Sequence, residues 1–364
     1  MSAEHPHRRF NPLRNEWVLV SPQRSARPWQ GQVEAPEPES APAYDPSCYL
    51  CPGNARANGV RNPAFTSTFA FDNDFPALTP DDHGPAEAGH YGERSTLNVQ
   101  ESLLIAEPER GLCRVLCFSP RHDLTLARME IADIRRVIEL WAAECAAAAA
   151  RPWIRYALVF ENRGAMLGAS NPHPHGQLWA TEGLPNEPAR ELEAFGRHRA
   201  QHGTCLLCDY AAREGRLRER VVSENDGFVA LVPFWATWPF ETLVLSRRHI
   251  ESLDGLNDVE RQALADILKR LTVRYDNLFE APFPYSMGFH QAPVNSGGDA
   301  VEIWHLHAHV YPPLLRSATI RKFMVGFELL GSPQRDFTAE EAAARLRAVS
   351  DVRDSARTGA GASR

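Results

Sequence analysis

The chain repeats one ordered series of landmarks, and this repeat is the sequence feature that most constrains its fold. The series begins with a Cys-x-x-Cys pair, passes through an Asn-Asp pair, a Ser-x-Arg-His segment and a long helical pattern, and ends in a His-x-His motif. The first copy consists of Cys48-x-x-Cys51, Asn73-Asp74, Ser119-Pro120-Arg121-His122, 131–150 and His173-x-His175-x-Gln177. The second copy consists of Cys205-x-x-Cys208, Asn225-Asp226, Ser246-Arg247-Arg248-His249, 259–278 and His305-x-His307-x-His309. Five landmarks in one order predict a duplicated unit.

Short β-rich runs alternate with one long amphipathic helix in each copy. The predicted strands are 114–118, 156–160, 178–180, 229–234, 242–245, 285–289 and 307–311. The helix at 259–278 places one row of apolar side chains at helical spacing, namely Leu264, Ile267, Leu268, Leu271 and Leu278. We therefore predict an α+β fold in which antiparallel sheets are packed by helices.

The length of 364 residues allows two domains of ordinary size. We predict one domain at 1–197 and a second at 198–350. The segments 31–46 and 79–92 are predicted to be loops, and the small polar segment 351–364 is predicted to be a disordered tail.

Composition argues against several classes of function. The net charge of −7 does not indicate a nucleic-acid partner. No stretch reaches the roughly 18 apolar residues that a membrane-spanning helix needs. The N-terminal segment lacks the apolar core of a secretory signal, so a reducing, cytoplasmic location is expected.

Four of the seven cysteines form the two Cys-x-x-Cys pairs. In a reducing compartment such pairs bind metal or carry out redox chemistry more often than they form disulfides. Reduced cysteines in a turn are the alternative. The remaining cysteines, Cys113, Cys117 and Cys145, are predicted to fill apolar space.

The run from Asn171 to Gln177 (NPHPHGQ) concentrates the reactive side chains. In an extended segment, side chains at i, i+2 and i+4 share a face, so His173, His175 and Gln177 are predicted to project together. A neutral imidazole can attack a phosphoryl group, and an amide beside it can donate hydrogen bonds. A strand whose histidines are only structural is the alternative.

This run resembles the active-site motif of the galactose-1-phosphate uridylyltransferase family, a branch of the histidine-triad superfamily. The similarity includes Ser-Pro-x-Arg-x-x-Arg-Pro-Trp at 21–29, Phe-Glu-Asn-Arg-Gly at 160–164 and the segment 311–326, and it covers about 10–349. It implies two histidine-triad-like units and a nucleotidyltransferase activity of galactose metabolism.

The resemblance implies a ping-pong reaction through a uridylyl-histidine intermediate. His175 would attack the α-phosphorus of UDP-glucose and release glucose 1-phosphate, and galactose 1-phosphate would then leave as UDP-galactose. Gln177 would donate hydrogen bonds to the phosphoryl oxygens. His307 occupies the equivalent place in the second copy but lacks the flanking prolines and the Gly-Gln pair, so we predict one catalytic centre per chain.

Further substrate contacts follow from the resemblance. Arg24 and Arg27 would grip phosphate, and guanidinium groups suit that task. The uridine and phosphate contacts would be Phe71, Asn73, Asp74, Asn162 and Ser170. The hexose contacts would be Lys322, Phe323, Val325, Phe327, Glu328 and Gln334, which the family takes from the partner subunit. That arrangement implies a homodimer with shared active sites. Phe327 departs from the family, where Tyr is expected.

Three metal sites are predicted. The resemblance assigns zinc to the first Cys₂His₂ set, Cys48, Cys51, His122 and His173. Aligning the repeat then predicts a second zinc set, Cys205, Cys208, His249 and His305. The resemblance also implies a site for iron or zinc, built from Glu191, His290, His307 and His309. A hydrogen-bonded cluster without metal is the alternative for this third set.

Two other functions compete with the uridylyltransferase. A related phosphorylase or transferase acting on another nucleotide sugar, such as an ADP-sugar, would keep His175 and the first zinc set. It would not be expected to keep the Lys-Phe-Met-Val-Gly string at 322–326, which this chain contains. A zinc module that binds nucleic acid would need clustered basic residues, and the acidic net charge argues against it.

Overall fold

Helices alternate with antiparallel strands along the described chain. The computed structural model describes residues 5–23, 41–81, 107–169, 171–312, 324 and 326–353. The strands are β1 (His7–Asn11), β2 (Glu16–Val20), β3 (Phe69–Asp72), β4 (Gly111–Cys117), β5 (Tyr156–Arg163), β6 (His175–Thr181), β7 (Val221–Glu224), β8 (Phe228–Leu231), β9 (Thr242–Ser246), β10 (Tyr285–His290), β11 (His307–Tyr311) and β12 (Gln334–Arg335). The helices are α1 (Ile131–Ala149), α2 (Asn186–His202), α3 (Leu206–Leu217), α4 (Asp258–Phe279), α5 (Gly298–Glu302), α6 (Phe327–Leu330) and α7 (Ala339–Ala348). The predicted α+β class is confirmed.

The two copies of the repeat meet in one large sheet. Its nine described strands run in the order β3-β4-β6-β5-β10-β11-β9-β8-β7. The central pair, β5 and β10, is antiparallel, and the flanking order β6-β4 on one side mirrors β11-β9 on the other. Strands β6 and β11 each begin at the central residue of the repeated motif, which is His175 in the first copy and His307 in the second. The mirrored order confirms the duplicated unit and shows that the sheets of its two copies are joined edge to edge.

Helices α1 and α4 pack together and cover one face of the large sheet. Helix α4 begins with a capping box, in which Asn257 Oδ1 accepts from the Glu260 N–H at 3.0 Å and the Glu260 carboxylate accepts from the Asn257 N–H at 2.9 Å. Four of the five residues on its predicted core face are buried, and the fifth, Leu278, is half-buried. Because these helices occupy one face, the functional side chains lie on the other.

The N-terminal strands lie against the C-terminal half of the chain. Strands β1, β2 and β12 form a separate small sheet in which β2 and β12 are parallel. Arg9 also makes a bidentate ion pair with Glu340, with N–O distances of 3.0 and 2.9 Å. The predicted boundary at residue 197 lies inside helix α2, so the division at 1–197 and 198–350 stays a prediction.

The described chain reaches three residues into the predicted disordered tail, and the rest of that tail stays a prediction. Asp351 Oδ2 accepts from Arg270 Nε and from Arg274 Nη2, both at 2.9 Å, and these two arginines belong to α4. A carboxylate held by two guanidinium groups fixes residues that composition alone marked as mobile. Residues 354–364 lie outside the described chain. Among the described helices, none is long and apolar enough to cross a membrane.

Candidate active site and metal centres

A pocket of about 560 Å³ lies on the open face of the large sheet, in the first half of the chain. Leu178 and Ala180 of β6 face the core beneath α1, so the alternate residues of this strand, His175 and Gln177, face the pocket. The lining includes six of the predicted site residues, namely Phe71, Asn73, Asp74, Asn162, His175 and Gln177.

The His175 side chain is held as one tautomer. Its Nδ1 lies 2.7 Å from the backbone oxygen of His173, which can only accept, so Nδ1 carries the proton. The lone pair of the neutral ring is then on Nε2. Burial lowers the pKa of His175, and this favours the neutral, nucleophilic form.

His173 does not share the pocket-facing side predicted for it. The strand begins only at His175, so the alternation rule does not extend back to His173. Its ring turns instead toward the Cys48 and Cys51 pair, where Nδ1 lies 3.6 Å from Cys51 Sγ. The motif therefore divides its residues between a buried cluster and an open pocket.

Gly176 is required between the two pocket-facing residues. A Cβ at this position would lie 2.8 Å from the backbone oxygen of Phe160 on β5 and 3.0 Å from the Phe118 ring. A side chain cannot fit at that distance from a paired backbone, so glycine is the residue that lets β6 lie between β4 and β5 here.

Arg56 is a charged pocket residue that was not predicted from the sequence. The Arg56 guanidinium lies 4.2 Å from the centre of the Phe71 ring and pairs with Asp74 at 3.4 Å. Asn58 donates to the same Asp74 oxygen at 2.7 Å. Arg56 follows the first Cys-x-x-Cys pair in a loop with no periodic pattern, so no local signal indicates its position.

The remaining predicted substrate residues are not brought to this pocket by the described chain. Arg24, Arg27, Ser170, Lys322, Phe323 and Val325 lie outside the described residues. Phe327 is exposed on α6, Glu328 lies 3.6 Å from Arg335, and Gln334 is buried in β12. These three side chains lie beside the small sheet and do not line the pocket of their own chain.

The first Cys₂His₂ set forms a buried cluster below the pocket. One ligand atom from each of Cys48, Cys51, His122 and His173 lies within 4.8 Å of all the others. His173 Nε2 lies 2.9 Å from the Ser119 backbone oxygen, so Nε2 carries the proton and the Nδ1 lone pair faces Cys51. Thiols facing an imidazole lone pair in a closed, four-residue cluster suit a tetrahedral metal ion.

The second Cys₂His₂ set repeats this geometry. Cys205, Cys208, His249 and His305 also place their ligand atoms within 4.8 Å of one another. His305 Nε2 lies 2.8 Å from the backbone oxygen of Ser246, the counterpart of Ser119, and His305 Nδ1 lies 3.4 Å from Cys208 Sγ. Cys205 caps α3 by accepting from the Cys208 N–H, and a hydrogen bond from the Cys208 side chain lowers the pKa of Cys205, so a thiolate is favoured there. The repeat thus located four residues that lie together.

The third set, Glu191, His290, His307 and His309, lies on the open face of the sheet in the second half. His307 Nδ1 donates to the His305 backbone oxygen at 2.7 Å, as His175 does to His173. Its Nε2 lone pair then faces a Glu191 oxygen 3.3 Å away and has no hydrogen-bond partner. Two acceptors at this distance repel each other unless a cation or a proton lies between them. The residues therefore fit a bound metal ion.

Electrostatics at Glu191 are consistent with that fit. Burial opposes its ionisation, but His290, whose Nδ1 lies 2.7 Å from Glu191 Oε2, holds the pKa of this carboxyl well below its usual range. Burial also lowers the pKa of His309 to about 4, so its ring is neutral near pH 7. An ionised Glu191 carboxylate beside a neutral His309 imidazole is a protonation state that suits a bound metal ion.

Comparisons with known proteins agree with this geometry. Models of the N-terminal and C-terminal domains of galactose-1-phosphate uridyl transferase match residues 1–185 and 191–358. A galactose-1-phosphate uridylyltransferase of Haemophilus influenzae is 51% identical over 98% of both chains. A solved uridylyltransferase structure is 29% identical, covers 94% of this chain and 97% of its own, and superposes with a TM-score of 0.72. An ADP-glucose phosphorylase of Arabidopsis thaliana has the same fold, with a TM-score of 0.73 at 24% identity over 95% of this chain and 99% of its own. The chain therefore belongs to the galactose-1-phosphate uridylyltransferase family.

Proposed function

We propose that this chain exchanges UMP between UDP-glucose and galactose 1-phosphate. The observation that carries the proposal is the His175 ring, whose protonated Nδ1 is fixed by a backbone oxygen and whose Nε2 is left as the nucleophile in a 560 Å³ pocket. High identity to galactose-1-phosphate uridylyltransferases over nearly the whole chain supports the same reaction. The proposed setting is the cytoplasm and the Leloir pathway of galactose metabolism.

The proposed reaction has two half-reactions that use the same histidine. Nε2 of His175 attacks the α-phosphorus of UDP-glucose, the bond to the glucose 1-phosphate oxygen breaks, and a uridylyl-histidine forms. Galactose 1-phosphate then attacks the same phosphorus, releases Nε2 and leaves as UDP-galactose. A sugar phosphate is a good leaving group, so positioning and charge stabilisation supply most of the catalysis.

The pocket lining divides into a phosphate region and a nucleoside region. Amide groups from Asn162 and Gln177 flank His175 and would donate to the phosphoryl oxygens. Phe71 and Asp74 lie farther along the lining and would hold the uridine, with Arg56 stacked on the Phe71 ring as an additional contact. An aromatic face beside a carboxylate suits a base and a ribose hydroxyl.

The hexose contacts would come from a second subunit. Phe327, Glu328 and Gln334 do not line the pocket of their own chain, and this supports the proposed homodimer with shared active sites. Lys322, Phe323 and Val325 would complete that set, while Arg24, Arg27 and Ser170 would contact phosphate.

The metal centres would maintain the site without entering the chemistry. We propose zinc in both Cys₂His₂ clusters, because thiolate and imidazole ligands in a closed site favour that metal. Nitrogen and oxygen ligands in the third cluster fit iron or zinc. In the first cluster, metal binding would hold His173 in place. Because His173 precedes Pro174 and His175, this would fix the start of β6.

Incubation with one nucleotide sugar and no acceptor tests the activity. We expect UDP-glucose labelled in the α-phosphate to transfer its label to the protein, and glucose 1-phosphate to be released in equal amount. Galactose 1-phosphate should then discharge the label as UDP-galactose. Labelling by ADP-glucose in preference to UDP-glucose would show instead that the chain acts on a different nucleotide sugar.

We expect Gln177→Ala to slow both half-reactions while leaving metal content and melting temperature unchanged. Loss of one hydrogen-bond donor to a developing phosphoryl charge costs about 2.7–4 kcal/mol in comparable oxyanion sites, which is about 10²- to 10³-fold in rate. Rapid-quench measurement of label transfer and of its discharge checks both steps. Unchanged rates in both would exclude a contact between Gln177 and the phosphoryl group.

A further inference from the structure

The Gln177 amide has a defined orientation because its neighbour can only donate. The Trp179 indole Nε1 lies 2.9 Å from one atom of this amide. An indole N–H has no acceptor capacity, so the atom it contacts must be the amide oxygen, Oε1. The usual ambiguity between amide oxygen and nitrogen is therefore resolved at this position by chemistry.

This orientation determines what Gln177 presents to a ligand. With Oε1 occupied by Trp179, the amide NH₂ group is the part left to contact a ligand in the pocket that Gln177 lines with His175. Two N–H donors suit a phosphoryl group with negative oxygens, whereas a carbonyl oxygen turned to the same place would repel it. Without a fixed partner, an amide can rotate between these two orientations.

The Trp179 ring is itself firmly placed. It lies on the same face of β6 as Gln177. The Trp179 backbone pairs with Cys113 of β4 on one side and with Leu158 of β5 on the other. The ring packs edge-on against Phe160, with centroids 5.8 Å apart. Trp179 is absent from the described pocket lining, so it can act on a bound substrate only through Gln177.

The second pocket amide is held in a similar way from the other half of the chain. Ser286 of β10 donates its hydroxyl to Asn162 Oδ1 at 2.7 Å, and the two residues are direct partners across the β5–β10 junction. This leaves the Asn162 NH₂ group free to face the pocket. A hydroxyl can also accept, so Ser286 constrains its amide less strictly than Trp179 does.

We propose that Trp179 is a positioning residue, which holds the Gln177 amide with its NH₂ group toward the phosphoryl group that His175 attacks. This inference rests on the proposed uridylyl transfer and adds to it the source of the amide orientation. It predicts that Trp179 and Gln177 act as one unit, because removing the indole N–H matters only while the amide is present.

A double-mutant cycle on the rate of label transfer from UDP-glucose tests the proposal. Trp179→Phe keeps an aromatic ring against Phe160 and removes the donor. In the otherwise unaltered chain we expect it to lower the maximal rate by about 10-fold with little change in KM, a smaller loss than removal of the whole amide. In the Gln177→Ala background the same change should alter the rate by less than about 2-fold.

Trp153→Phe is the matched control, since Trp153 is also partly buried in the first half but stacks on Arg110, away from the pocket. It should leave the rate unchanged. If Trp179→Phe slows transfer equally in both backgrounds, or has no effect in the unaltered chain, the positioning role is overturned while the proposed activity stands. If the unaltered protein takes up no label, the proposed activity fails and this inference fails with it.

Discussion

Replacement of His175 by alanine is expected to abolish the covalent uridylyl adduct. The ring is the only imidazole in the described pocket lining, and its Nδ1 proton is fixed by the His173 backbone oxygen so that Nε2 is the nucleophile. Alanine removes the atom that forms the P–N bond, and no other described lining residue carries an imidazole to replace it. Both proteins are incubated with labelled UDP-glucose and then analysed by peptide mapping. The label should lie on the peptide that contains His175 in the unaltered protein, and the variant should carry none.

His307→Ala is the informative control for this result. His307 begins β11 as His175 begins β6, and its Nδ1 makes the same hydrogen bond to the residue two positions earlier. Its Nε2, however, faces Glu191 and not an open pocket. We therefore expect His307→Ala to lose metal from the third cluster and still form the adduct at low temperature. An undiminished adduct in His175→Ala would refute the assignment of the nucleophile.

Glycine at position 175 allows a chemical rescue of the second half-reaction. His175→Gly should leave a space that free imidazole can fill, because the deleted side chain is a methylene imidazole. The variant is then expected to accept uridylyl-imidazole and to transfer UMP from it to galactose 1-phosphate. This outcome would show that the rest of the pocket remains intact when the nucleophile is removed.

The repeat in the sequence predicted much of the fold and of the metal clusters. Hydrophobic periodicity placed helices α1 and α4 within one residue at each end, because each buries a regular apolar row beneath the sheet. The ordered landmarks also indicated which histidines would join which cysteines. Local spacing could not show that the two sheets join at β5 and β10, since pairing between distant strands depends on contacts that no local pattern encodes.

The parts that escaped prediction depend on tertiary contacts of single residues. His173 was expected beside His175, but the strand starts two residues after His173, so the alternation rule does not include it. Strand β2 pairs with β12 across more than three hundred residues, which local sequence patterns cannot indicate. Trp179 donates to Gln177, and Arg56 contacts Asp74 and the Phe71 ring; no local pattern indicates either set of contacts.

Loss of the second Cys₂His₂ cluster is expected to destabilise the protein without removing its chemistry. Cys205, Cys208, His249 and His305 lie in the half without the proposed nucleophile, and they join the start of α3 to the residues just before β11. A structural zinc ion binds with an apparent free energy of about 10–16 kcal/mol in small zinc-dependent peptides. A domain with its own core depends on zinc for only part of its stability.

The double variant Cys205→Ser/Cys208→Ser should therefore lose one zinc per subunit and melt earlier, by about 5–10 °C if about 3 kcal/mol is lost. Cys113→Ser is the matched control, because Cys113 is also a free thiol but lies outside all three clusters. It should keep the full metal content. The double variant should still form the uridylyl adduct at low temperature, since His175 and the first cluster are untouched. Unchanged zinc content in the double variant would mean that the hydrogen bond from His305 to the Ser246 backbone serves the sheet and not a second metal ion.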